Sequence, residues 1–184
     1  MRLFVGVEPS PKARDDLADR LDAIDLAPAR PLPRERWHIT LAFLGEVAEY
    51  QLPHLTGRLA GVASSSGPMS LTLSGAGAFP SVGRPSVLWV GLAGDVAALR
   101  DLATEVAVAV SEAGVVLEGR PFAAHLTIAR FPDRSSRAAR PALTGLSSYA
   151  GPLFAVEEVR LMRSRLGRHP QHEPLAVWRL GPVA

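Results

Sequence analysis

Cysteine is absent from the 184 residues, and lysine occurs once, at Lys12. The first absence excludes disulfides, thiolate nucleophiles and cysteine-ligated zinc, and it fits a reducing compartment. The second excludes a Walker A loop and leaves only Lys12, between Pro11 and Ala13, for Schiff-base chemistry, a poor setting for it. No G-x-G-x-x-G follows a strand pattern, and Gly75, Gly77 and Gly83 read as loop glycines. No run approaches the roughly 18 consecutive apolar residues that cross a bilayer. The start, Met1-Arg2-Leu3-Phe4-Val5, meets Glu8 and Pro9 too early for a secretory segment. A cytoplasmic, monomeric protein without a membrane partner is therefore expected. Among side chains that move protons near neutral pH, the five histidines remain.

What is present describes one globular domain over residues 1–184, with 47% hydrophobic residues, 21% charged and a mean hydropathy of +0.13. The net charge of +2 conceals an uneven distribution. Residues 1–119 carry 10 basic and 14 acidic side chains, a balance of −4, while residues 120–184 carry 10 and 4, a balance of +6. A basic second part suits a polyanionic partner.

Met1–Val7 reads as a buried strand. Ser10 before Pro11 is a helix start, and Leu17, Leu21 and Ile24 share one face of the helix that follows. Arg36–Phe43 reads as a strand, Ala48–Ala63 as a helix with Pro53 in its first turn, and Ser70–Gly77 as a half-buried strand. Phe79–Pro85 is a loop and Ser86–Leu92 a strand. Asp95 is placed to cap a helix that carries Leu99, Leu102, Val106 and Val110 and stops at Gly114. Ala123–Phe131 is the next strand, a helix interrupted by Pro141 follows Ser135 or Ser136, and Phe154–Ser164 with Leu175–Leu180 suggests a closing hairpin. The order βαβαβ thus occurs twice, with corresponding starts 84 to 87 residues apart. This predicts an α+β fold of two similar lobes, about 1–80 and 86–165 plus a C-terminal strand. Each lobe holds helices on the outer face of an antiparallel-rich sheet and opens its other face to a central cleft.

The duplication is visible in the residues at one place. His38-Ile39-Thr40-Leu41-Ala42 recurs as His125-Leu126-Thr127-Ile128-Ala129, 87 residues later and in the corresponding strand. With six threonines and five histidines in the chain, chance places Thr two positions after both members of some histidine pair about one time in a hundred. Side chains alternate along a strand, so His and Thr two apart share a face, while Ile39, Leu41, Leu126 and Ile128 pack beneath the helices. His38, Thr40, His125 and Thr127 are then predicted to meet in the cleft. Two imidazoles and two hydroxyls suit phosphodiester cleavage without a metal or cofactor. A neutral histidine takes a proton from water, a charged one protonates the leaving oxygen, and the threonines donate to the oxygens that gain charge. The residues alone do not say which histidine plays which part.

At these motifs the chain resembles the 2H phosphoesterases, which carry two H-x-T-x motifs, and most closely their bacterial branch of RNA 2′,3′-cyclic phosphodiesterases, formerly called 2′-5′ RNA ligases. Arg2-Leu3-Phe4-Val5, Thr40-Leu41-Ala42-Phe43-Leu44-Gly45, Val87-Leu88-Trp89-Val90-Gly91-Leu92 and Pro121-Phe122 carry the likeness over nearly the whole chain. The resemblance implies a bilobal α+β fold and hydrolysis of a terminal 2′,3′-cyclic phosphate to a 2′-phosphomonoester. It implies His38 as the donor of a proton to the departing 3′ oxygen and His125 as the acceptor that activates water. The segment Gly167-Arg168-His169-Pro170-Gln171-His172 departs from the family in lacking a tyrosine often found there. The substrate would be RNA ends or a small cyclic nucleotide such as an ADP-ribose cyclic phosphate. A non-catalytic RNA-binding or repair module is the alternative from another class.

Arg130 would serve as a phosphate ligand, although alternation points it away from His125 unless a bulge intervenes. Phe4, Phe43 and Trp89 are candidates for stacking on a base but are expected in the core. His54 reads as a surface residue, and His169 with His172 as a turn pair with little claim to a metal.

Overall fold

The computed structural model describes residues 1–117, 121–132, 136–165 and 171–181. Its elements are β1 (Arg2–Val7), α1 (Pro11–Asp22), β2 (Arg30–Pro31), β3 (Ile39–Glu46), α2 (Leu52–Ser65), β4 (Met69–Phe79), β5 (Val87–Gly94), α3 (Val96–Glu112), β6 (His125–Arg130), α4 (Ser136–Leu146), β7 (Ala150–Val156), β8 (Glu158–Arg165) and β9 (Gln171–Arg179). One sheet has the order β3-β1-β8-β9 and the other β2-β6-β5-β4-β7. Every neighbouring pair is antiparallel.

Local chemistry sets the helix ends. Ser10 Oγ accepts from the Ala13 N–H at 3.2 Å with Pro11 in the first turn, as the sequence requires. The α3 helix stops before Gly114, whose φ of +74° suits glycine alone among common residues. Asp95 does not cap α3 with its side chain; its carboxylate accepts from the Ser70 N–H at 2.8 Å and ties the start of the helix to β4. The α1 and α4 helices cover the five-stranded sheet, while α2 and α3 pack on each other over the four-stranded one. Tyr149 donates to Asp16 at 2.8 Å and Arg20 donates to the Gly145 carbonyl, fastening α1 to the segment from α4 to β7. Among the described residues no helix is long and apolar enough to cross a membrane.

Leu3, Val5, Ile39 and Leu41 of one sheet and Leu71, Leu88, Val90, Leu126 and Ile128 of the other are buried in the core under the helices. Among the described residues no polar or charged one is fully buried. Each such leucine or isoleucine contributes about 1.5–3 kcal/mol by leaving water.

The sheets do not divide the chain at the expected boundary near 80–86. In each sheet a central strand, β1 or β5, lies between a motif strand, β3 or β6, and a third strand, β8 or β4. The first-half strand β4 thus lies beside β5, and the second-half strand β8 lies beside β1, so each sheet borrows from the other half. The single strand expected over Phe154–Ser164 is really two, β7 and β8, with Glu157 alone between them as the chain passes from one sheet to the other. A further tie runs through β2, where Arg30 pairs with Arg130 and Pro31 with Ala129, and the Leu32 N–H donates to the Ile128 carbonyl at 2.8 Å. The chain then turns through Arg34–Arg36 into His38 and β3. The segment that delivers the first histidine is therefore anchored on the strand that carries the second.

Candidate functional site

The two motif strands repeat one geometry. Ile39 and Leu41, like Leu126 and Ile128, are buried, while His38, Thr40, His125 and Thr127 are half-buried on the opposite face, as strand alternation requires. Beyond each threonine the alternation breaks at the same place. Val5 pairs with Ala42 and Gly6 with Thr40, so Leu41 is an extra residue; Leu88 pairs with Ala129 and Trp89 with Thr127, so Ile128 is its counterpart. A bulge puts two successive residues on one side of a sheet and returns the next to the other. Leu41 and Ala42 are accordingly both buried, as are Ile128 and Ala129, and the following residues, Phe43 and Arg130, are exposed. Phe43 is 45% exposed, which corrects its expected place in the core, and its ring lies 6.4 Å from Phe4. The same bulge removes the objection to Arg130 as a phosphate ligand.

Each histidine is oriented from behind. His38 Nδ1 lies 2.7 Å from the Arg36 carbonyl, and His125 Nδ1 lies 2.7 Å from the Ala123 carbonyl. A carbonyl only accepts, so Nδ1 carries hydrogen in both rings, and Nε2 is left as an acceptor on a neutral ring or a donor on a charged one. Aromatic rings complete the setting. Phe4 stacks on His38 with centroids 4.6 Å apart, and Phe79 meets His125 edge-on at 4.8 Å, with Trp89 at 6.3 Å. Phe4 is buried, yet its partner is the histidine rather than the main core, and Trp89 is half-buried. A Cβ at Gly77 would fall 2.1 Å from the Trp89 ring, so glycine on β4 is what admits the indole.

Burial in this apolar setting disfavours charge on the rings. Burial first, then the charge on His172, and after it those on Arg36 and His125, push His38 from an ordinary 6.5 to about 4, against an opposing effect of the Arg36 carbonyl. His125 is among the charges that act on His38, and the motif strands β3 and β6 are in contact. Burial also lowers His125, and the Ala123 carbonyl opposes it. His38 is therefore the harder of the two to protonate in the free protein.

Sequence reasoning missed two neighbours. His172 stands edge-on to His38 and to Phe4, with centroids 4.9 Å away in each case. Its signal was its place near the start of the last strand, whose partner β8 lies beside β1. Phe79, read as the start of a loop, is instead the last residue of β4. His54 lies on α2 and takes no part, and His169 lies outside the described residues. Among the described residues no three histidines, aspartates or glutamates are grouped to hold a metal ion.

A family model described as LigT-like phosphoesterase matches residues 5–89 and again residues 90–171, one H-x-T motif in each match. The chain is 38% identical over 146 residues to the RNA 2′,3′-cyclic phosphodiesterase of Geobacillus stearothermophilus, covering 79% of this chain but only 46% of that protein. Identity is 32% over 164 residues to the RNA 2′,3′-cyclic phosphodiesterase of Archaeoglobus fulgidus, covering 89% of each chain. The crystal structure of E. coli LigT complexed with 3′-AMP superposes with a TM-score of 0.77 at 28% identity, over 97% of both chains.

Proposed function

Since the chain belongs to the LigT-like phosphoesterases, we propose that it hydrolyses the 2′,3′-cyclic phosphate ends of RNA to 2′-phosphomonoesters, with His38 and His125 as its acid–base pair. The observation that carries this reading is the matched pair of 2.7 Å contacts that hold each Nδ1 on a backbone carbonyl and leave each Nε2 to the substrate. One ring accepts a proton from water as its oxygen attacks phosphorus, and the other gives a proton to the 3′ oxygen as the P–O3′ bond breaks. Thr40 and Thr127 donate to the two non-bridging oxygens, and Arg130 adds a charged contact to the phosphate. Each step is complete with the chain's own groups and water, and the protein acts as a monomer in the cytoplasm.

The resemblance assigns the departing proton to His38, whereas in the free protein His125 is the more readily charged. A bound phosphate anion offsets the desolvation of both rings and draws a proton to the side of the leaving oxygen. This sets the pH dependence. Below the lower pKa both rings are charged and no base is left; above the higher one both are neutral and no acid is left. Both values are lowered from 6.5 in the free protein, so kcat/KM, which reports the free enzyme, peaks below pH 6.5. The kcat profile, which reports the bound state, is displaced to higher pH. A kcat/KM maximum above 6.5 contradicts this account.

The decisive experiment is product analysis on a defined oligonucleotide with a 2′,3′-cyclic end, in EDTA. Complete conversion to the 2′-phosphate is expected. A 3′-phosphate product, or turnover that stops in EDTA, overturns the proposal.

A further inference from the structure

We infer that Arg36 and His172 form a second phosphate subsite beside His38, one that takes the phosphate on the 5′ oxygen of the nucleoside whose cyclic phosphate is opened. The inference rests on the function proposed above and adds what the substrate carries on its other side.

Arg36 ends the turn Arg34–Arg36, two residues before His38, and its carbonyl is the one that holds His38 Nδ1. Its backbone is thus committed to the first histidine while its guanidinium forms no ion pair with any described residue, and its Nε is buried without a partner. His172 approaches from β9, where it pairs with Ser164, and its Nδ1 is likewise buried without a partner. Two nitrogens able to donate are therefore left unsatisfied on the two residues that bear on His38. The His172 ring stands 4.9 Å from that of His38, whose Nδ1 the Arg36 backbone holds, and the Arg36 charge acts on both rings, whereas burial is the sole cause that lowers His125.

The position separates this pair from the reacting phosphate. β3 is the strand of its sheet that meets β6, and β9 is the opposite edge, so His172 approaches His38 from the edge of the sheet away from the strand of His125. The reacting phosphorus lies between His38 and His125 and cannot also lie there. The charge of the surroundings suits an anion. Glu8 is the carboxylate that acts on His172, and it is engaged by Arg14 and by Arg160, each at 2.8 Å, with Arg160 also on Glu158 at 3.1 Å. A guanidinium binds two oxygens of one phosphate side by side, and an imidazole N–H adds a third contact. A phosphate on the 5′ oxygen is what an RNA end, or a 5′-phosphorylated nucleotide, supplies and what a bare nucleoside cyclic phosphate lacks.

The test compares kcat/KM for three substrates: a nucleoside 2′,3′-cyclic phosphate, its 5′-phosphorylated form, and a dinucleotide with a cyclic end. In the native protein a second phosphate is expected to raise kcat/KM about tenfold. A gain with the 5′-phosphorylated nucleotide identifies a terminal phosphate as sufficient, and a gain confined to the dinucleotide identifies the linking diester. The Arg36→Gln variant is expected to cut the ratio of either gain at least threefold, Arg36→Lys to retain most of it, and His172→Phe, which keeps a ring against Phe4 and His38, to lower it. A ratio unmoved in Arg36→Gln, or no gain in the native protein, overturns the subsite. If no substrate is opened at all, the proposed function falls instead. The subsite is then read by calorimetry with the dinucleotide 2′-phosphate, where Arg36→Gln must weaken binding at least threefold and equal affinity refutes it.

Discussion

His38→Ala and His125→Ala are each expected to lower kcat by about 10²–10⁴-fold on a cyclic-phosphate RNA end, with the fold retained. Both rings are half-buried and outside the main core, so alanine leaves the packing under the helices intact. The structural cost at His38 is chiefly its stack on Phe4, about 0.5–1.5 kcal/mol. That loss shifts a thermal melt without abolishing folding. Because the two rings act on one transition state, the double variant should be little worse than the poorer single one. A nitrophenyl phosphodiester, whose leaving oxygen needs no proton, then separates the roles. It spares the variant that lacks the acid and not the one that lacks the base. If His38 is the donor, as the resemblance implies, His38→Ala regains most of its activity on that substrate; recovery by His125→Ala reverses the assignment. Native-like turnover in both single variants on RNA would remove the pair from the chemistry.

Legibility in the sequence followed the range of the interactions. Strand alternation places His38 and Thr40, or His125 and Thr127, on one face because that choice is made within three residues. The capping of α1 by Ser10 and its stop signals at α3 are equally local. The reading failed one residue beyond each threonine. Nothing in Thr40-Leu41-Ala42-Phe43 or Thr127-Ile128-Ala129-Arg130 announces a bulge, since its cause is the register with the neighbouring strands β1 and β5. Strict alternation buries Phe43 and turns Arg130 from the cleft, and the bulge that Arg130 needs in order to reach a phosphate has its counterpart in the one that exposes Phe43. The period of the duplication was also visible while its topology was not. Two repeats with a constant offset fit two separate lobes as well as two sheets that exchange β4 and β8, and only pairing across the molecule distinguishes them.

His172 shows the same limit inside the site. In sequence it stands 134 residues from His38 and next to a basic turn, where a histidine reads as surface or as half of a weak metal pair. The hairpin of β8 and β9 was legible, but the pairing of β8 with β1 was not, and that pairing brings His172 over Phe4. A residue whose role depends on two successive strand registers has no local signature.

Thr40→Val and Thr127→Val are each expected to lower kcat by about 10²–10³-fold, the loss seen when one donor to a developing oxyanion is removed. Valine has the shape and strand preference of threonine, so both sheets keep their geometry and the melt should barely move. The effect belongs to kcat rather than KM because the hydroxyls matter most when negative charge gathers on the non-bridging oxygens in the transition state. Each threonine is half-buried beside its histidine, Thr40 opposite Gly6 and Thr127 opposite Trp89, where few water molecules can replace the lost donor. Thr→Ser at either position keeps the hydroxyl and should retain activity within about tenfold of native. The two donors serve one phosphate in one transition state, so the double valine variant should lose less than the product of the single losses. A rise in KM with kcat unchanged would assign the hydroxyls to ground-state binding, and valine variants as active as serine ones would take them out of the site.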